Sequence, residues 1–170
     1  MHQETAAQTA RPDGAPSRTT PCPSGIVCLP RSGQPPLRVR GHCLHRAERR
    51  DGTERIEITL WRCDSGGYAA GLLLETAAGR TARAHRAAEL DAAVAFAEGC
   101  DLPAALAASA PVARARSEAL RRARALAERA RAVQRGEAWR DLLGDALAAW
   151  PHAAAASSPS ANTMPLGHDP

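Results

Sequence analysis

The chain has 170 residues and a net charge of +4, and all 22 of its Lys+Arg residues are arginine. With 39 alanines and only 3% aromatic residues, this is the residue usage expected of a GC-rich bacterial gene. Five scattered cysteines, odd in number, argue against a secreted disulfide scaffold; the lack of a leader pattern and of any run of about 18 apolar residues argues against export or a membrane span, so a cytoplasmic protein is expected.

Residues 1–36 carry seven prolines and few large apolar groups, and such a segment cannot bury enough surface to offset its chain entropy. It reads as a disordered tail. The folding signal starts at Leu37 and runs to Arg86, where β-branched and aromatic residues alternate through Ile56-Glu57-Ile58-Thr59-Leu60-Trp61 and reappear from Tyr68 to Leu74. Asp51-Gly52 between two such runs is a strong hairpin signal. With those two residues as the loop, Glu48 faces Arg55, Arg46 faces Glu57, Cys43 faces Leu60 and His42 faces Trp61, so two opposite-charge pairs support the register.

A three-residue loop within Asp64-Ser65-Gly66-Gly67, with a glycine in the left-handed position, then sets Leu60 against Leu72 and Ile58 against Leu74. One face collects Val39, Cys43, Ala47, Ile56, Ile58, Leu60, Ala70, Leu72 and Leu74. The other collects Arg38, Arg40, His42, Arg46, Thr59, Trp61, Ala69, Gly71 and Leu73. A fourth strand over Arg80 to His85 is optional, and Leu90 to Glu98 has a helical stripe with Asp91 as N-cap and Gly99 as a left-handed C-cap. Residues 37–101 thus form a β-β-β-(β)-α domain.

Residues 102–150 read as a helical arm. A short helix opens at Pro103 and closes before Pro111; Val112 to Arg135 holds neither glycine nor proline and repeats Ala119, Ala123, Leu126, Ala130 and Val133 at coiled-coil spacing. Gly136 ends or bends this rod, and Trp139 to Trp150 forms an amphipathic helix that stops at Pro151, leaving 151–170 as a second disordered tail. The expected fold is α+β: a small antiparallel sheet of three to four strands, one packed helix, a C-terminal helical arm, and tails at both ends.

Two surfaces suggest chemistry. Trp61, ringed by Arg38, Arg40, Arg46 and His42 with small Ala69 and Gly71 beside it, has the makeup of a base-stacking platform, or else is covered by a C-terminal helix. On the long helix Arg114, Arg121, Arg124, Arg131 and Arg135 lie opposite the Ala119 stripe; residues 112–136 hold eight arginines against two glutamates, which suits phosphate. Leu126, Val133, Trp139, Leu143, Leu147 and Trp150 are the corresponding candidates for an oligomer or partner interface.

Cys22, Cys28, Cys43 and His45 have the wrong spacing for a zinc site, and no phosphate-loop, zinc-protease or serine-nucleophile motif occurs. No metal, cofactor, catalysis or membrane contact is expected. The expected role is a non-catalytic binding or regulatory module that contacts nucleic acid through its arginine face; the alternative is a homo-oligomerising or partner-binding protein-interaction module.

Overall fold

The computed structural model describes residues 24–109 and 118–157. Five strands, β1 (Ser24–Leu29), β2 (Leu37–Asp51), β3 (Glu54–Cys63), β4 (Tyr68–Thr76) and β5 (Gly79–Ala87), form one antiparallel meander in sequence order. Three helices follow: α1 (Leu90–Glu98), α2 (Leu102–Ser109) and α3 (Glu118–Ala156). The mixed α+β class matches the sequence reading, whereas the two C-terminal helices expected on either side of Gly136 are one continuous helix, α3. The sheet is larger than expected, because β1 lies in the segment taken for a tail and residues 79–87 form a full fifth strand.

The β2–β3 loop is Gly52-Thr53, one residue later than Asp51-Gly52, with Gly52 at φ +55°. Glu48 therefore stands opposite Glu57 and Arg50 opposite Arg55, and the charges pair diagonally instead: Arg46 to Glu57 at 3.0 Å and Arg55 to Glu48 at 3.0 Å. The β3–β4 pairing also slips by two, setting Ile58 against Leu72 and Leu60 against Ala70. A slip of two leaves side chains on the same face. Ile56, Ile58, Leu60, Leu72 and Leu74 accordingly share one buried face, as the sequence predicts.

A bulge at Leu44 changes the rest. It adds one residue to β2, so Cys43 pairs with Trp61 rather than Leu60 and His42 with Arg62 rather than Trp61. Everything before the bulge changes sides: Val39 and Cys43 join the face of Trp61, while Arg38, Arg40 and His42 turn away from it. The sheet curls toward the Trp61 face. The turn after β1 reaches β5, where Ser32 N donates to Ala82 O at 2.9 Å and Ala82 N donates to Ser32 Oγ at 2.8 Å.

The curl encloses an inner apolar cluster of Leu29, Val39, Cys43, Trp61, Cys63 and Ala69. Burial within it pushes the Cys63 thiol up from its ordinary value, against the opposing pull of Arg86. At Gly41 any side chain would collide with the Arg62 carbonyl, so the close approach of β2 to β3 requires glycine there.

The other face carries the larger core. All three helices contribute, not one: Ala93 and Ala97 from α1, Leu102 and Leu106 from α2, and Trp139, Leu142, Ala146 and Trp150 from α3. Asp101 Oδ1 caps α2 by accepting the Ala104 N–H at 2.9 Å. Glu89, not Asp91, is the N-cap of α1, and Gly99 ends it in the right-handed region at φ −73°. Neither Gly136 nor Pro151 interrupts α3. Proline withholds the N–H that the Leu147 carbonyl would accept, but Trp150 and Ala154 are buried on either side of it, and that packing carries the helix through.

Candidate functional site

The first half of α3 stands clear of the core. Every residue from 118 to 131 is exposed, a stretch of about 21 Å at 1.5 Å per residue, and packing begins in earnest only at Trp139. Within it five arginines face two glutamates. Glu118 takes Arg121 and Arg122 (3.2 Å to the latter), and Glu128 takes Arg131 at 3.0 Å. Arg124 and Arg129 have no carboxylate within ion-pair distance among the described residues, and both are exposed. Exposed i,i+3 and i,i+4 pairs of this kind are weak and screened, so they leave the cations free to change partners.

The other sequence candidates divide. Arg114 lies outside the described residues. Arg135 belongs to the fold: its side chain is only 11% exposed, and it grips Glu54, beside the β2–β3 loop, with Nη2 at 2.7 Å from Oε1. Trp61 is 4% exposed. Leu29 occupies the space beside Gly71, where a Cβ would meet Leu29 Cδ2 at 3.1 Å, so the opening that sequence reasoning left for a base is filled from β1. Neither a stacking platform nor a helix-covered ring describes Trp61; it is an inner-core residue.

Arg38, Arg40 and His42 lie together on the outward side of β2, opposite Cys28, Ile26 and Ser24 of β1. His42 Nδ1 is hydrogen-bonded to Ser24 Oγ at 2.8 Å, and Arg40 pairs with Asp64 at 3.3 Å. Arg86 and Ser65 complete this cluster; the β2–β3 pairing sets the β3–β4 turn beside Arg40, where Asp64 N donates to Arg40 O at 2.9 Å, and sequence reasoning, which left Ser65 in a loop and the last strand optional, missed both.

The interface candidates separate in the same way. Trp139 and Trp150 are buried within the chain's own core, with Leu143 and Leu147 half-buried against it, so these four serve folding. Leu126 and Val133 are 67% and 58% exposed. Of the residues weighed for zinc, Cys22 lies outside the described residues, while Cys28 is exposed and Cys43 points into the curl. Among the described residues no group of three or more His, Cys, Asp or Glu is placed to hold a metal, and no helix is long and apolar enough to cross a membrane. No family model, curated protein or solved structure matches the chain.

Proposed function

We propose that this protein is a non-catalytic binding module that contacts nucleic acid along the exposed first half of α3. The observation that carries the reading is the run 118–131, fully exposed and holding five arginines against two glutamates. Arginine forks suit phosphate oxygens, and a helix about 21 Å long can follow several phosphates along a backbone. Binding of this kind is insensitive to base sequence and steeply dependent on salt.

A second reading rests on Leu126 and Val133. Two large apolar side chains exposed one heptad apart favour a helix–helix contact with a second copy or a partner protein. Fluorescence anisotropy with single- and double-stranded DNA and RNA over a salt series, run beside light scattering, separates the two. On the nucleic-acid reading, Arg121→Gln, Arg124→Gln and Arg131→Gln together weaken binding across all sequences and flatten the salt slope by up to about three, near 0.9 per lost phosphate contact. Leu126→Glu then leaves oligomeric state unchanged. Absence of binding at low salt removes the nucleic-acid reading, and an oligomer that Leu126→Glu dissociates puts the second in its place.

A further inference from the structure

Ile26 of β1, Arg38 and Arg40 of β2, Asp64 and Ser65 of the β3–β4 turn and Arg86 near the end of β5 line a cleft of about 340 Å³. Three guanidinium groups and one carboxylate give it a net charge of two. Arg38 and Arg40 alternate on β2, about 6.6 Å apart along the strand, on the side that faces solvent. The β3–β4 turn contacts two of the three cations: Asp64 Oδ2 lies 3.3 Å from Arg40 Nε, with the Arg40 side chain 75% exposed, and Ser65 Oγ accepts from Arg86. Among the described residues Arg38 and Arg86 have no carboxylate within ion-pair distance.

Ile26 supplies the remaining wall. It is 55% exposed on an edge strand, directly across from Arg40, so an apolar surface adjoins the cations. The geometry points to a binding site for a phosphate monoester of a small organic molecule, with the phosphate held among Arg38, Arg40 and Arg86 and the organic part against Ile26. A monoester carries close to two negative charges at neutral pH, matching the surplus in the cleft, whereas an internal phosphodiester carries one. The volume is that of a small-ligand site, and planar guanidinium forks are suited to paired phosphate oxygens. This inference stands independently of the role given to α3.

Isothermal titration of the full chain with adenosine 5′-monophosphate, adenosine and inorganic phosphate tests it. The monophosphate is expected to bind saturably at one site, at least about tenfold tighter than adenosine, with affinity falling as the pH drops through about 6 and the ester takes up its second proton. Arg38→Gln and Arg86→Gln should each weaken binding by about tenfold without moving the melting temperature, since both side chains are exposed. The α3 triple-glutamine variant should bind the monophosphate as the unmodified protein does, which keeps this result distinct from the outcome for nucleic acid. No saturable binding at millimolar monophosphate, or affinity untouched by Arg38→Gln, overturns the site. Equal affinity for inorganic phosphate overturns the part assigned to Ile26.

Discussion

His45 follows the Leu44 bulge, with its Nε2 buried and without a hydrogen-bond partner among the described residues. Burial pushes its pKa below the ordinary 6.5. The unfolded chain therefore binds the His45 proton more readily than the folded one, and stability should fall as the pH drops below about 6.5 toward the folded value. Glu48 behaves separately: burial would raise its pKa, but Arg50, Arg55 and Arg46 hold it below 4.5, so its contribution is lost only at lower pH, as the carboxylate range is crossed. Urea midpoints measured from pH 8 to pH 5 should decline for the unmodified chain and stay flat for His45→Gln; an equal decline in both would assign the effect elsewhere. The bulge itself explains the main misreading at this scale. Alternation of apolar and polar residues gives the parity of a strand, but a single inserted residue reverses that parity, and nothing about Leu44 as a residue type marks it as the extra one.

The strands and helices were legible in proportion to how much of their pattern is local. The span of α1 was readable although both of its cap assignments failed, and the buried face of β3 and β4 survived two register slips because each slip was even. α3 was not readable as one element, because its apolar stripe continues past Gly136 while its surroundings change from solvent to core. Periodicity reports which residues share a side, not what covers that side. The tie between Arg135 and Glu54 lies close to the point of that change. With the Arg135 side chain 11% exposed and Glu54 about one-third exposed, Arg135→Gln should cost about 1–3 kcal/mol, and a double-mutant cycle with Glu54→Gln should give coupling near 1 kcal/mol. Nucleic-acid binding should be unchanged in Arg135→Gln. Coupling close to zero would mean that the helix is held by its apolar side chains alone.

Across the whole molecule, β1 is what turns a half-covered sheet into a two-core protein. The helices bury one face, and the curl buries the other only because Leu29 closes over Gly71 and Trp61 while Ser32 ties the same hairpin to β5. Sequence reasoning passed over β1 because its four apolar residues, Ile26 to Leu29, sit among prolines that suggested a tail; pairing with β2, which is not a local property, makes it a strand. The inner core should therefore depend on β1 in a way the outer core does not. Leu29→Ala should lower stability by about 2–5 kcal/mol, the range for emptying a buried leucine site. Deletion of residues 1–29 should go further and let a thiol reagent reach Cys43 and Cys63, both buried in the intact fold, while quenching of Trp61 fluorescence by acrylamide rises. Deletion of residues 1–23 leaves β1 in place and should do neither. Equal thiol reactivity in the two truncated chains would show that the curl of β2 to β5 closes without β1, and Leu29 would then be a passenger on a core that the sheet forms by itself.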